Sequence, residues 1–480
     1  MTILGRALNF HEDEWVISRA QTALGKFLLW CLTVPVLLQH SIGPIVLSIL
    51  AAIFILPKQR RLILSIGTVV TIIKAYLFRY DQSLSMELFA AENNVVLIKI
   101  VTFVLIAIAG LYAAYRFAKI IPDLPQPIRK HPVLMLHSCV IMFFASMIGF
   151  PALNAFAEVI PLVIWRIGYL FQAGQRGKIK GTKFSDNLFH LWPSFHASRM
   201  PYGEGNEYLN KTEAIDEESD AKSRLAGLKL LWLGAIYSGI LWAYEGLFFL
   251  KSADQALFGY NLGLPTIEEA IIAGDTSTTT AWLLIFLNFF RAVLYFAVIF
   301  HPIVGMIRLA GFNIFRCVYK PLLAETIIDF WGRFNYYFKK LMVEFFFYPT
   351  LLMLKNVGPR TRMFIAVFAS ACVGNMYLHL FYSYEDLSLG NLGRVWDFWS
   401  PRLVYCVLLA TGIWVSMLRQ QKSRQNRETK TPLGRVRAIL GVWFFYAVIQ
   451  VWNQGWNDYG YDLTWERRFV FSLRLIGIEI

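Results

Sequence analysis

Long apolar stretches recur along the whole chain and are separated by short polar segments. A helix needs about 20 residues to cross a bilayer, and most of these stretches approach that length. Eleven stretches fit this description: 24–40, 43–56, 62–78, 95–117, 133–150, 152–171, 227–250, 281–305, 363–384, 402–419 and 437–455. The pattern predicts an all-α, polytopic membrane protein with eleven transmembrane helices.

The polar segments between these stretches alternate in charge. Lysine and arginine dominate four of them, whereas acids outnumber basic residues in three others. The basic segments are 57–61, 116–130, 174–183 and 419–437, and the acidic ones are 79–94, 251–279 and 385–401. Basic loops mark the cytoplasmic side of a membrane protein. The alternation is consistent if the N-terminus is cytoplasmic and eleven helices cross, so we expect a multi-pass protein of the plasma (inner) membrane.

The composition agrees with this class. Of the 480 residues, 56% are hydrophobic and 16% are charged, whereas a soluble domain has about 25% charged residues. The net charge of +14 is divided among short clusters between apolar runs, which indicates membrane orientation rather than nucleic-acid binding. The five cysteines form no CxxC pair. Neither a disulfide framework nor a metal site is therefore expected.

Two long segments interrupt the series of crossings. The segment 172–226 mixes charges and is placed in the cytoplasm. The segment 306–362 is both apolar and charged, as is typical of an interfacial or re-entrant element. The N-terminus is amphipathic, is placed in the cytoplasm and lacks the pattern of a cleavable signal peptide. The expected organisation is this N-terminus, the N-terminal crossings, the cytoplasmic loop, a core that contains the re-entrant segment, and a C-terminal tail, at 1–23, 24–171, 172–226, 227–455 and 456–480.

One predicted crossing carries a stripe of polar side chains. Asn375, His379 and Ser383 are spaced four residues apart and Tyr382 follows His379 by three, so all four share one helical face. A histidine in lipid is costly unless it faces the protein interior or a wet cavity. Its near-neutral pKa suits a general base that takes a proton from a hydroxyl. The structural alternative is a buried histidine that hydrogen-bonds a neighbouring helix, and the pattern leaves both open.

Polar residues also occur in the aromatic-rich stretch DFWGRFNYYF, residues 329–338. Asp329 and Arg333 are four residues apart and are expected to pair on a helix, which lowers the cost of burying them. Asn335 is left as the polar group without a local partner. We therefore expect Asn335 to serve a site, and to face His379 across roughly one helix.

The segment 311–349, GFNIFRCVYKPLLAETIIDFWGRFNYYFKKLMVEFFFYP, resembles the signature of the membrane-bound O-acyltransferase family. The residues that match the signature are Pro321, Ala324, Ile328, Phe330, Trp331, Arg333 and Asn335. His379 follows Asn335 by 44 residues, a spacing similar to that of the family's transmembrane histidine. The segment 183–205 is similar to an earlier loop of the family, with Asp186, Pro193 and Pro201 in the matching places. The resemblance is to the bacterial branch that acylates surface polymers, which includes alginate O-acetylase and the teichoic-acid D-alanylation protein.

The resemblance implies an enzyme that moves an acetyl or other short acyl group from a cytoplasmic thioester, acyl-coenzyme A or an acyl-carrier protein, to a hydroxyl of an extracytoplasmic polysaccharide. It implies no bound cofactor. His379 would be the general base and Asn335 would hold the acyl carbonyl or the acceptor. Substrate or tunnel contacts would come from Trp331, Arg333, Asn375, Tyr382 and Ser383. Implied partners are membrane lipid, the acyl donor, and a carrier protein or an extracytoplasmic acyltransferase.

The depth of His379 predicts a central tunnel. It lies 16 residues after Met363, where the crossing is expected to begin, or roughly 24 Å into the membrane at about 1.5 Å per residue. A cytoplasmic donor would have to reach through the protein to meet it. Arg333, Lys339 and Lys340 at the cytoplasmic mouth would then hold the donor's phosphates, although ordinary positive-inside anchoring also explains the two lysines.

Other functions stay open. The bacterial surface acylators usually carry a histidine where this chain has Asn335, and asparagine there is similar to the lipid and sterol acyltransferases of eukaryotes. A polytopic transporter or a scaffold for surface-polymer export is the alternative from another class. The intramembrane charges suit transport as well as structural pairing, and they are Glu158, Arg166, Glu245 and Arg291. A transporter would more typically show internal repeats, and the sequence shows none.

Overall fold

The computed structural model describes most of the chain, and the regular elements of that part are helices. The described residues contain three isolated β-bridges and no strand. The all-α prediction is therefore confirmed for them. They are 9–40, 42–81, 93–179, 182–189, 192, 204–250, 254, 256–425, 431–455 and 462–478.

Short and long α-helices alternate along the chain, and 3₁₀ turns join several of them. The first ten are α1 Glu14–Gln21, α2 Ala23–Leu37, α3 Gly43–Ile55, α4 Arg60–Asp81, α5 Asn93–Ile120, α6 Gln126–Lys130, α7 Pro132–Ser146, α8 Asn154–Gln175, α9 Ser185–Leu188 and α10 Asn206–Thr212. The others are α11 Glu217–Phe248, α12 Ile267–Ala273, α13 Thr278–Leu309, α14 Ile327–Phe334, α15 Tyr336–Met342, α16 Tyr348–Met353, α17 Pro359–Phe368, α18 Gly374–Leu380, α19 Tyr384–Ser388, α20 Leu392–Gln425, α21 Pro432–Ile449 and α22 Trp465–Leu475.

Within the described ranges, seven helices are long and apolar enough to cross a membrane. An eighth is added if α1 and α2, which are bent by 99° at Thr22, count as one crossing. These helices overlap eight of the predicted stretches and confirm a multi-pass membrane protein. The predicted stretches 43–56 and 133–150 form α3 and α7, of 13 and 15 residues, which are short of the roughly 20 that a straight crossing takes. The stretch 62–78 lies in α4, and the count of eleven stays a prediction.

The chain forms two compact units. Unit 1 comprises Met1–Phe143, Ala152–Ala235 and Phe300–Arg316, and unit 2 comprises Phe144–Pro151, Ile236–Ile299 and Cys317–Ile480. All of the predicted site residues belong to unit 2.

Helices of unit 1 approach one another closely at small residues. A Cβ at Gly174 of α8 would lie 2.2 Å from the carbonyl oxygen of Ala118 on α5. A Cβ at Gly227 of α11 would lie 2.7 Å from the carbonyl oxygen of Gly305 on α13. Small residues at such crossings let helix backbones pack in contact, which is how membrane helices associate without a strong hydrophobic drive.

Buried arginines fix the predicted cytoplasmic loop of unit 1. Arg166 on α8 is buried and donates to the side-chain oxygens of Asn187 and Asn206, at 2.5 and 2.6 Å. Arg60 contacts Asp220 at 3.1 Å and donates to the carbonyl oxygen of Gly311. These contacts give Arg166 a structural role, one of the two interpretations that the sequence left open for the intramembrane charges. The loop motif positions Pro193 and Pro201 lie outside the described residues.

In unit 2, two of the intramembrane charges pair with each other. Arg291 Nε on α13 donates to Glu245 Oε1 on α11 at 2.8 Å, and the two side chains are 34% and 26% exposed. Because each charge has an opposite partner, both can lie in a membrane-spanning helix at a reduced cost.

Candidate functional site

Unit 2 contains a helical hairpin, residues 336–380, that carries the predicted site. Its first arm is α15, a π turn at Val343–Phe347, and α16; its second arm is α17, a π turn at Ala369–Val373, and α18. Residues 354–358 connect the arms. The helical segments next to this connection, α16 and α17, pack on each other, and so do the two π turns. The arms are therefore antiparallel, and Asn335 and His379 both lie at the open end.

The π turn of the second arm contains Ser370 and is followed directly by Asn375 on α18. A π turn has one residue more than an α turn and leaves the regular hydrogen-bond ladder locally incomplete. Asn375 Nδ2 donates to the carbonyl oxygen of Ala371 at 2.8 Å, and Ser370 Oγ donates to that of Val367 at 3.0 Å. These side chains supply hydrogen bonds where the helix geometry changes. Such turns occur often at functional sites.

Gly374 sets the register of the two arms. A Cβ at this position would lie 2.6 Å from Met342 Sδ and 3.1 Å from Phe346 Cδ2, so a larger residue would require these side chains to shift. Asn335 precedes Met342 by seven residues and His379 follows Gly374 by five. At 1.5 Å per residue these distances are about 10 Å and about 8 Å. Asn335 and His379 are thus nearly level along the hairpin axis.

Asn335 joins α14 to α15 as the N-cap of α15. Its side-chain oxygen accepts hydrogen bonds from the backbone N–H of Phe338 and from Cys317 Sγ, both at 3.4 Å. The residue is buried. The expectation that Asn335 lacks a local partner is wrong, because a side-chain oxygen at a helix N-terminus satisfies an otherwise unpaired N–H. The amide nitrogen then points away from the cap.

His379 lies in the last turn of α18 and is buried, with 4% of its surface exposed. Its ring meets the ring of Phe398 on α20 edge to face, with centroids 5.7 Å apart. The guanidinium of Arg402 lies over the same phenyl ring at 3.7 Å from its centroid. Arg402 is itself buried and is held by the carbonyl oxygens of Phe398, Gln454 and Gly455. A fixed positive charge therefore lies one aromatic ring away from the imidazole.

The predicted polar stripe is only partly helical. The crossing begins at Pro359 and ends at Leu380 rather than spanning 363–384, so Ser383 and Tyr382 follow the helix end. Ser383 Oγ donates to the carbonyl oxygen of His379 at 3.0 Å and accepts from Trp399 Nε1 at 2.8 Å. The hydroxyl of Ser383 thereby joins the end of α18 to α20. Tyr382 is 44% exposed.

Two of the three basic groups expected to bind donor phosphates are already paired. Arg333 Nε lies 2.9 Å from both carboxylate oxygens of Asp329, which confirms the predicted pair, and Lys340 lies 3.5 Å from Glu344. Lys339 has no ion pair with a described residue. Burial and the neighbouring Lys340 lower the pKa of Lys339.

Trp331 lies on α14 beside Asn335 and packs on Phe334, Phe338 and Tyr446. Its indole N–H is buried without a hydrogen-bond acceptor among the residues that the structure describes. The ring of Phe330, one residue earlier, stacks on Tyr446 at 4.0 Å between centroids, and the Tyr446 hydroxyl donates to the carbonyl oxygen of Ile327. These contacts anchor the helix that leads into Asn335.

Sequence reasoning missed three residues next to the predicted pair: Cys317, Phe398 and Arg402. Cys317 lies 18 residues before Asn335, and the other two follow His379 on another helix. Arg402 carried a signal, because it is a basic residue inside the predicted stretch 402–419. Phe398 and Cys317 are ordinary apolar positions by pattern, and only their contacts single them out.

The site thus offers a buried imidazole, a buried carboxamide with a fixed oxygen, and a nearby buried guanidinium. An imidazole can take a proton, and a carboxamide N–H can stabilise negative charge on an oxygen. The guanidinium of Arg402 already donates to three carbonyl oxygens and acts on the imidazole through its charge. No family model matches this chain, and no curated protein matches it.

Proposed function

We propose that this protein is an integral-membrane O-acyltransferase. The main support is the hairpin, which holds two buried polar residues, Asn335 and His379, at its open end and at nearly the same height along its axis. Buried polar groups in a membrane protein are expensive and typically serve function. The resemblance of 311–349 to the membrane-bound O-acyltransferase signature supports the same proposal.

In the proposed reaction, an acceptor hydroxyl attacks the carbonyl carbon of an acyl thioester. His379 takes the hydroxyl proton as the new ester bond forms, and the carbon–sulfur bond breaks to release a thiolate, which receives that proton. Asn335 donates its amide N–H to the carbonyl oxygen while that oxygen carries negative charge. Base assistance of this kind is typically worth about 10²–10⁴ in rate. The products are an O-acyl ester and the free thiol of the donor.

The arrangement in the membrane completes the proposal. The apolar segments 43–56, 62–78 and 133–150 would cross as well, which gives eleven crossings of the plasma (inner) membrane with the N-terminus in the cytoplasm. His379 follows Pro359 by 20 residues, or about 30 Å along the helix axis. With Pro359 at the cytoplasmic face, His379 lies near the opposite face. Asn335 and the adjacent Arg333 are at the same end of the hairpin, so they would meet the donor deep in the tunnel rather than at its cytoplasmic mouth. A central tunnel would then bring a cytoplasmic acyl donor, coenzyme A-linked or carrier-linked, to a polysaccharide hydroxyl outside.

The first test compares His379→Ala with a matched control, His137→Ala. Both histidines are 4% exposed in apolar helices, and His137 belongs to unit 1. Membranes of cells that produce each variant are incubated with acetyl-coenzyme A radiolabelled in the acetyl group. Alkali-labile label in polysaccharide and in lipid is then measured, together with the amount of protein. We expect His379→Ala to lose at least about 100-fold and His137→Ala to retain activity in proportion to its abundance.

The second test separates the two roles of Asn335. Serine and aspartate are good N-caps but lack the amide donor, whereas alanine removes both the cap and the donor. We expect Asn335→Ser and Asn335→Asp to accumulate normally and to lose about 100- to 1,000-fold in activity, and Asn335→Ala to be unstable as well. Full activity in Asn335→Ser, or in His379→Ala at normal abundance, would show that the catalytic assignment is wrong.

The location of the label decides between acceptors. Ester label in polysaccharide supports surface-polymer acylation, and label in extracted lipid supports the lipid or sterol alternative that Asn335 suggests. The transporter alternative predicts no label in either fraction. It gains little from the intramembrane charges, since Arg291 pairs with Glu245 and Arg166 is bound by two asparagine side chains.

A further inference from the structure

The segment Cys317–Tyr319 crosses the junction between α14 and α15. The carbonyl oxygen of Cys317 accepts from the backbone N–H of Tyr336 at 3.0 Å, and the N–H of Tyr319 donates to the carbonyl oxygen of Arg333 at 2.7 Å. Asn335 lies between these two bonds. Its backbone is therefore held on both sides by one short segment of chain.

The side chain of Cys317 reaches the amide that the proposed reaction uses. Cys317 is 1% exposed, and its Sγ lies 3.4 Å from Asn335 Oδ1. Burial raises the pKa of the Cys317 thiol to about 12, so the sulfur keeps its proton at neutral pH and can donate it. Asn335 Oδ1 consequently receives two donors, the thiol and the N–H of Phe338.

These two donors fix which way the carboxamide faces. Only an oxygen can accept from a backbone N–H, so the cap at Phe338 identifies Oδ1 and leaves Nδ2 on the other side. A single cap bond still allows the amide plane to rotate about that bond. A second donor from a different direction removes this freedom, and it comes from Cys317.

We propose that Cys317 is a positioning residue, which holds the Asn335 carboxamide so that its amide N–H faces the reacting acyl group. This inference rests on the proposed acyltransferase function. It assigns to Cys317 no contact with substrate and no covalent step. Its effect on the reaction is entirely through Asn335.

The backbone after the segment limits its movement. Lys320 has a φ of 49°, in the left-handed region that residues with a side chain rarely adopt, and Pro321 follows it in a 3₁₀ turn. A strained residue of this kind persists only where the surrounding structure determines it. The turn ends the segment directly after Tyr319 and prevents it from sliding along the α14–α15 junction.

The test replaces Cys317 by serine, alanine and valine. Serine keeps a donor at this position, whereas alanine and valine remove it, and valine preserves the volume better. The matched control is Cys406→Val, because Cys406 is a fully buried thiol of the same unit on α20. We expect kcat for acetyl transfer from acetyl-coenzyme A to fall about 3- to 10-fold in Cys317→Ala and Cys317→Val, the range expected for one lost hydrogen bond.

The KM for acetyl-coenzyme A should change less than about 2-fold in these variants, because Cys317 orients the Asn335 N–H and does not bind the substrate itself. Cys317→Ser should restore kcat, and Cys406→Val should leave it unchanged. In an Asn335→Ser background, Cys317→Val should lower the remaining activity no further. A purely structural role of Cys317 would instead lower activity equally in both backgrounds.

Three results would overturn the inference: wild-type kcat in folded Cys317→Val, failure of serine to restore kcat, or an undiminished effect of Cys317→Val in the Asn335→Ser background. If valine prevents accumulation, the alanine and serine variants decide. If the wild-type protein transfers no acyl group, the proposed function fails by itself. The contact is then judged by thermal unfolding of the two single variants and the double variant, where additive changes would reject it and non-additive changes would support it.

Discussion

The close approach at Gly374 gives a sharp prediction about the hairpin, because the register of the two arms depends on it. Replacing Gly374 by alanine puts a Cβ 2.6 Å from Met342 Sδ and 3.1 Å from Phe346 Cδ2. Carbon atoms in ordinary contact are about 3.5–4.0 Å apart. The arms or the two side chains must therefore separate by about 1 Å. Met342 is flexible and can yield, whereas the ring of Phe346 is fixed by its contact with Tyr377 at 5.9 Å between centroids.

The magnitude follows from two opposing terms. Alanine in place of a helical glycine favours the helix by about 1 kcal/mol, and overpacking of a tight contact costs about 1–3 kcal/mol. We expect Gly374→Ala to lower the free energy of unfolding by about 0–2 kcal/mol. Gly374→Val adds two methyl groups and should lower it by about 2–3 kcal/mol or more. The control is Gly441→Ala on α21, where a Cβ meets nothing within 4 Å and stability should rise by up to about 1 kcal/mol.

The assay is thermal unfolding of the purified protein in one detergent, with acetyl transfer measured in parallel. Met342→Ala should relieve the contact, so the double variant with Gly374→Val should be more stable than the sum of the single changes, by about 0.5–3 kcal/mol. Acetyl-transfer activity of the Gly374 variants should fall by more than their loss of stability accounts for, because the register of the two arms places Asn335 level with His379. The reasoning is refuted if Gly374→Ala stabilises the protein as Gly441→Ala does, or if the Met342 and Gly374 effects simply add.

Two further predictions concern charge. Arg291→Met leaves Glu245 unpaired in a membrane-spanning helix and should lower thermal stability. The loss should be less than the roughly 3–5 kcal/mol typical of a fully buried pair, because both side chains are about one third exposed. Adding Glu245→Gln should restore much of the loss, and an equal loss in the double variant would contradict this. Burial, followed by the charge of Lys229, lowers the pKa of His11 from 6.5 to about 4. The folded protein therefore takes up the His11 proton at a lower pH than the unfolded chain does. The stability that His11 contributes is complete above pH 6.5 and is lost as the pH falls from 6.5 towards 4. Thermal unfolding measured over this pH range should be less acid-sensitive in His11→Gln. An unchanged pH profile would show that His11 is not the source of the acid sensitivity.

The pattern of long apolar runs was sufficient to predict the helical membrane class and seven helices that are long and apolar enough to cross, or eight if α1 and α2 form one crossing. It was not sufficient for α3 and α7, since an apolar run marks burial as well as a crossing, and length alone separates the two. Of two ion pairs in unit 2, Asp329–Arg333 was predictable from the sequence and Glu245–Arg291 was not. The first follows from the spacing of four residues, whereas the second was one of several possible pairings among intramembrane charges, and only packing selects it.

The site was predictable as residue types but not as geometry. His379 and Asn335 stand out as polar groups in apolar surroundings, and a motif resemblance joins them. The helix-capping role of Asn335 was missed because the break between α14 and α15 leaves no proline or glycine signal at that residue. The π turns were missed because a one-residue change in helical repeat does not alter an apolar pattern. Cys317 and Phe398 act through contacts that no spacing rule reports.

The π turns also make chain length, rather than residue identity alone, a determinant of the hairpin. Each π turn accommodates one extra residue, and successive residues of an α-helix differ by about 100° around the axis. Deleting one residue within Ala369–Val373 would let that arm close into a regular α-helix and would leave His379 close to its present direction. The same deletion in the α-helical turn between Gly374 and His379 would rotate His379 by about 100°. A one-residue deletion in the connection 354–358 would leave both arms intact. Deletions of one residue during the divergence of this chain should therefore be tolerated in the π turn and in the connection, and excluded from the α-helical turn that precedes His379.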